Sequence, residues 1–181
     1  NMKSTKWFEE FQRRMTRPQA LWRRMGTIGD PKKSLAHNPG GRSYPRVSAS
    51  HTSPWDKCER AIDGEINFLI EPNNRWTSYL SASPTDWLEV DFGEAKSFGR
   101  VDLGIYDDRI GVTAPRKWWI EIWTEGDWKT VENKLLAPAN PTGGMFNRAR
   151  FSPVTTSRFR VVFEHNGAGR SGITELLAWP N

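Results

Sequence analysis

Asp107, Asp108 and Arg109 stand side by side in a polar run between two apolar stretches, and they are the residues best suited to recognition chemistry. Two carboxylates accept and one guanidinium donates, a set that fits a pair of neighbouring hydroxyls on a ligand. The same three residues also describe a solvated turn held by its own hydrogen bonds. They do not make a hydrolytic pair, because adjacent residues on one loop cannot flank a glycosidic bond from opposite sides. Tyr79 is the aromatic residue best placed to supply an apolar face, and His51, Trp55, Phe146, Asn147, His165, Asn166 and Arg170 lie in loop-like stretches that could share its rim. The chain has no Gly-x-Ser-x-Gly elbow, Walker loop or dinucleotide fingerprint, and Gly167 and Gly169 precede no helix that could complete a phosphate cradle. It reads as a protein without catalysis.

The elements that must position these residues are strands. Leu88, Val90 and Phe92 alternate with Glu89 and Asp91, and Gly93 reads as the end of that strand. Val101, Leu103 and Ile105 repeat the pattern, as do Trp118, Ile120 and Ile122 after Pro115. A turn at Glu125-Gly126-Asp127 leads into Trp128–Val131. Further strands are expected at Arg46–Ser50, Arg148–Phe151, Arg158–Phe163 and Ile173–Trp179. Ser53-Pro54 reads as a helix entry, Ala61 and Ile62 as inward-facing, and Lys134–Gly144 as a loop. About eight strands with almost no helix between them predict an all-β antiparallel sandwich. Trp119 and Trp123 fall opposite Trp118 and Ile120, as an exposed patch or as cover for an N-terminal helix.

That helix is expected over residues 4–16, where Trp7, Phe11 and Met15 recur every four residues. With the Gly- and Pro-rich stretch Gly26–Tyr44 it forms an arm and linker over residues 1–44, leaving 45–181 as the β domain. The charge divides the same way. Residues 1–46 carry 11 Lys and Arg against 3 acids, and residues 47–181 carry 15 against 18. A nucleic-acid surface would need its positive charge on the folded part, so nucleic acid is not an expected partner. Mean hydropathy is −0.69, and no apolar run approaches the roughly 18 residues of a membrane span. The first residues lack the apolar core of a secretion signal, as the mature form of an exported protein would. One cysteine, Cys58, and three His allow neither an internal disulfide nor a zinc cluster.

Taken in order, Ser48-Ala49-Ser50, Ala61-Ile62-Asp63-Gly64, Asn74-Arg75-Trp76, Trp87–Gly93, Ile105-Tyr106, Pro115 and Gly172–Leu176 resemble the discoidin family, also called the coagulation factor V/VIII type C domain. The resemblance covers residues 45–179. It implies a galactose-binding-like jelly-roll sandwich, related to bacterial carbohydrate-binding modules attached to glycoside hydrolases, with a glycan or small saccharide held by loops at one end. It implies a secreted or cell-surface protein with a catalytic domain as neighbour. It also implies a structural calcium held by Asp63, the Ala61 carbonyl, Asn74 and Glu175, oxygen ligands of the kind calcium takes. Arg109 falls near a sugar-contacting Arg of the family, and Thr77 stands where galactose-binding members carry a His. Trp76 and Trp87 match positions used for packing. Some relatives bind membranes through apolar loop tips; here Phe68, Leu69 and Ile70 form such a tip, but Glu65 and Glu71 flank it and would repel anionic lipid. An accessory domain that docks on its own catalytic neighbour without a sugar ligand is the alternative.

Overall fold

The computed structural model describes residues 28–180, so the helix expected over residues 4–16 lies outside the described part. Eight strands run as β1 (Arg46–Ala49), β2 (Trp76–Thr77), β3 (Thr85–Ile105), β4 (Lys117–Thr124), β5 (Asp127–Thr130), β6 (Leu135–Ala137), β7 (Met145–Glu164) and β8 (Gly172–Trp179). The only other elements among the described residues are 3₁₀ turns at Pro31–Lys33 and Cys58–Ala61. Every strand pair is antiparallel. The expected all-β jelly-roll sandwich is what the chain forms.

Two long strands build both layers. The first half of β3 pairs with β1 and with the second half of β7, which continues to β4 and β5. The second half of β3 pairs with β8, and with the first half of β7, which carries β6. The strands turn the corner between layers at register breaks between Asp91 and Lys96 and between Phe98 and Arg100, the irregularity by which a strand changes sheets. Gly93 therefore does not end a strand. It sits at the bend with φ +74°, and the Tyr44 ring lies where its Cβ would be. Likewise 148–151 and 158–163 are two parts of β7, and the expected loop at 134–144 contains β6. No helix starts at Ser53-Pro54; the chain makes one turn there, closed by the Asp56 amide on the Ser53 carbonyl at 3.1 Å, and then the 3₁₀ turn at Cys58–Ala61.

The alternating residues meet in one core. Leu88, Val90, Val101, Leu103, Ile105, Trp118, Ile120, Phe159, Val161, Phe163, Ile173 and Leu176 belong to a single buried cluster with Ala61, Ile62 and Trp76. Phe98 is central to the bend, with ring centroids 4.8 Å from Phe159 and 5.8 Å from both Phe92 and Phe151.

The linker reading of Gly26–Tyr44 is corrected for its described residues. Ala36 is fully buried in the main core, and Ile28 packs with Phe68, Phe146 and Leu177. The Leu35 amide donates to the Ala178 carbonyl, and the Asn38 side chain donates to the carbonyls of Ser43 and Pro45. Short polar and Gly-rich chain is held here by backbone hydrogen bonds rather than by a periodic apolar face. Phe68 corrects a second expectation: it is buried edge-on against Phe146, so the 68–70 segment does not project as an apolar spike.

Truncating Phe98 to Ala should cost about 3–5 kcal/mol. Urea unfolding should show the loss as a lower midpoint at unchanged slope, and a loss below about 1 kcal/mol would mean that the corner repacks.

Candidate functional site

Loops at one end of the sandwich enclose an open cleft of about 390 Å³. Three segments line it: Ser53–Asp56, Ile70–Tyr79 and Asp108–Val112. Trp55 is 65 % exposed and lies 6.0 Å, centroid to centroid, from the Tyr79 ring at an interplanar angle of 46°. Ile110 is 85 % exposed on the opposite segment. Tyr79 keeps its place by lying on Gly111, where an added Cβ would come within 2.5 Å of the ring.

The polar floor beneath these apolar groups is tightly fixed. Asp56 accepts from the Thr77 hydroxyl and from Asn73 Nδ2 at 3.0 Å. Asn73 also donates to the Trp55 carbonyl at 3.1 Å, so one amide sets both the Trp and the Asp. Arg75 donates to the Ile70 carbonyl at 2.8 Å and stacks 4.3 Å over Tyr106. Tyr106 is buried with its hydroxyl unpaired, and that burial raises its pKa to about 12. An aromatic shelf over a rigid, hydrogen-bonding floor suits a small polar ligand with an apolar face.

The residues singled out in the sequence separate into three groups. Thr77, Tyr79 and Asp108 line the cleft, Thr77 from the buried floor. His51 and Arg170 lie behind it: His51 Nε2 is 3.0 Å from the Tyr79 carbonyl, and Arg170 donates to the carbonyls of Ser81, Ala168 and Gly169. Asp107, Arg109 and Asn166 are outside the lining, with Arg109 and Asn166 exposed. Both carboxylates of the Asp107-Asp108 pair serve the loop itself. Asp107 accepts from the amides of Arg109 and Ala114, and Asp108 Oδ1 from those of Ile110, Gly111 and Val112. Phe146 and Asn147 belong to β7 and are buried, so they are not rim residues. Trp55 is the rim residue among those loop positions, and Asp56, Asn73 and Arg75 complete the floor without a local sequence signal.

His165 is also buried, 3.0 Å from Ser171 Oγ and 2.8 Å from Asp86 Oδ2. These are the side chains of an acyl-transfer triad, but none of the three lines the cleft and Ser171 is fully buried. Burial raises the Asp86 pKa, and the hydrogen bonds from His165 and Ser50 more than offset it, holding the carboxyl below its ordinary value. The network ties the 81–87 segment to the 165–171 loop.

Asp63, Asn74 and Glu175 do come together. Asp63 Oδ1 accepts from the Glu65 amide at 2.8 Å and lies 3.3 Å from Asn74 Nδ2. Glu175 is fully buried on β8 and accepts from the Gly64 amide at 3.1 Å. Ala61 is buried at the end of the 3₁₀ turn leading to Asp63. Among the described residues no group of three or more His, Cys, Asp or Glu is placed to hold a metal ion. A cation here would draw on two carboxylates with amide and backbone oxygens, which is calcium's kind of donor set.

A family model described as the F5/8 type C domain matches residues 46–176. The chain belongs to the F5/8 type C domain family. Its fold is similar to that of a structure from the Streptococcus pneumoniae beta-galactosidase BgaA, at 24 % identity and TM-score 0.75 over 82 % of this chain and 98 % of that one. It is also similar to the family 32 CBM from C. perfringens NanJ, solved in complex with galactose, at 21 % identity and TM-score 0.56 over 73 % and 90 %. Chitosan-binding module 2 from a Paenibacillus sp. IK-5 chitosanase/glucanase, in complex with chitotriose, matches at 22 % identity and TM-score 0.57 over 80 % and 98 %. No helix among the described residues is long and apolar enough to cross a membrane.

In this F5/8 type C domain the Glu175 carboxyl carries an unusual charge state. Burial first, and the Asp63 charge second, push its pKa from 4.5 up to about 10. Between those values the folded state holds a proton that the unfolded state has released. Without a bound cation, stability should therefore fall as pH rises through that window, by at most about 1.4 kcal/mol per pH unit. Denaturant titrations in chelator at pH 6 and pH 8 should show this fall in the native protein and not in Glu175→Gln. Equal slopes in both proteins would remove the assignment.

Proposed function

We propose that this chain is a non-catalytic carbohydrate-binding module that holds a saccharide in the Trp55–Tyr79 cleft, within a larger carbohydrate-active protein that is secreted or displayed at the cell surface. The observation that carries this reading is a largely exposed Trp and a partly exposed Tyr meeting over a floor whose donors and acceptors are already fixed. Such a shelf takes the C–H face of a sugar ring, while Arg75 from the floor and the Asp108 oxygen that does not cap its own loop address hydroxyls. Relatives of similar fold solved with galactose and with chitotriose support the class of ligand. One shallow site of this kind contributes about 4–5 kcal/mol, an affinity in the high-micromolar to millimolar range.

A structural calcium at Asp63, Asn74, Glu175 and the Ala61 carbonyl belongs to the same reading. The buried carboxyl of Glu175 beside Asp63 supports it, since a divalent ion would let both ionise. The Asn74 amide would have to present its oxygen, the reverse of its present hydrogen bond to Asp63. The ion would join the turn before the cleft to the last strand and supply stability rather than chemistry.

A glycan array followed by calorimetric titration tests the ligand. Trp55→Ala and Tyr79→Ala should each weaken the best saccharide at least tenfold while leaving the melting temperature nearly unchanged. An array with no saccharide bound would favour a docking domain instead. For calcium, the melting temperature should rise by several degrees over chelator, and Asp63→Ala should abolish the rise; identical melts in calcium and chelator would remove the ion.

A further inference from the structure

A second groove lies where the chain that leaves the Asp108–Val112 segment of the cleft enters β4. It encloses about 410 Å³ between the start of β4 and the 133–141 segment. Arg116, Lys117 and Lys134 line it together with Asn133 and Asn140, over a floor that includes the buried Trp118 ring. No lining residue is acidic. The nearest carboxylate shown is Glu164, 3.5 Å from Arg116 Nε, and both side chains are solvent-exposed, at 74 % and 38 %. Glu132 is exposed two residues before Lys134. Lys134 donates to the Val131 carbonyl at 3.2 Å, and Lys117 sits 5.5 Å from the Trp119 ring. Neither lysine is neutralised by those contacts. A carbonyl and an aromatic face orient an ammonium and leave its charge available.

No residue lines both hollows, but one segment of chain joins them: Ile110, Gly111 and Val112 line the cleft, and four residues later, at most about 14 Å of extended chain, Arg116 lines the groove. The 140–144 segment is held to the start of the same stretch: the Gly144 amide donates to the Ile105 carbonyl at 2.8 Å, and Gly143 packs on Asp107 so closely that a Cβ would come within 2.3 Å of its carboxylate. The two hollows differ in sign. The cleft lining carries Asp56, Glu71 and Asp108 against Arg75 alone, while the groove lining carries three cations. An anionic substituent is therefore disfavoured in one hollow and favoured in the other.

We propose that this groove is a subsite for an anionic group, a carboxylate or a sulfate, on a saccharide whose neutral ring occupies the cleft. The inference rests on the cleft being the saccharide site. It gives the module a preference for acidic glycans bound in one direction. Arg116 offers a fork that matches either oxyanion, and the two lysines add point charges and donors.

The test titrates the full chain with a neutral galacto-trisaccharide and with its glucuronate-terminated and sulfated derivatives. At low ionic strength each anionic form should bind about tenfold more tightly than the neutral one, with the gap closing in 0.5 M salt. Amide chemical shifts should move at 116–118 and 133–141 with the anionic probes only. The triple variant Arg116→Ala, Lys117→Ala, Lys134→Ala should erase the gap and leave the neutral affinity unchanged. A gap for only one derivative would keep the subsite and name its anion. Equal affinities, or a gap that survives the triple variant, would overturn the subsite and leave the cleft reading intact. Failure of all three probes to bind would overturn both.

Discussion

Main-chain hydrogen bonds at the start of β8 hold the loop end of this domain together. Residues 170–173 serve two neighbours at once. On one side Ile173 and Gly172 pair with Trp76 and Thr77, and the Ser171 carbonyl accepts from the Ser78 amide. On the other, the Gly172 carbonyl accepts from the Tyr106 amide, and Arg170 exchanges hydrogen bonds with Gly111 and Thr113. Ser53 joins through the Thr77 carbonyl. The three segments that line the cleft have almost no ladder of their own. Leaving these buried amides and carbonyls unpaired would cost about 1–3 kcal/mol each, so the loops are held as firmly as strands. Side chains then need only finish the fixing, as Asp108 does for its loop and Asn73 does for Trp55.

This explains what the sequence could and could not reveal. Strands with one buried face announce themselves by alternation, and Leu88–Phe92, Val101–Ile105 and Trp118–Ile122 were legible for that reason. Elements too short for a period were not: β2 has two residues and β6 three. The corner between Asp91 and Arg100 was hidden because Gly93 has the same composition whether a strand ends or bends. Residues 28–44 read as linker because their attachment is through carbonyls, Ser34 and Asn38 rather than an apolar stripe.

The lining of the candidate cleft was only partly legible. Tyr79, Thr77 and Asp108 do face the cleft. Asp107 and Arg170 carry the polar groups that binding would require, but neighbouring backbone claims those groups first. That competition is a property of loop geometry, invisible in residue type. Asp56, Asn73 and Arg75 come from two segments joined only in space, so no spacing rule could have gathered them.

The richness in tryptophan has a similar resolution. Trp76 and Trp118 fill the core, whereas Trp87, Trp119, Trp123 and Trp128 are half-buried on the outer face of the β3–β7–β4–β5 layer. Arg158 lies 4.9 Å over Trp123, and Arg160 lies 4.4 Å over Trp128 and 5.6 Å over Trp87. Glu89 and Glu121 in turn hold the two arginines at 2.7 and 2.6 Å. A guanidinium plane covers an indole face, and a carboxylate pairs each guanidinium, so the aromatic layer is sealed by charges that are paired where they are buried. Among the described residues Trp55 has no such cover: its ring partner is the adjacent Tyr79, and it remains mostly exposed. The contrast between covered and uncovered indoles separates the tryptophans that seal the sheet face from the exposed one at the cleft.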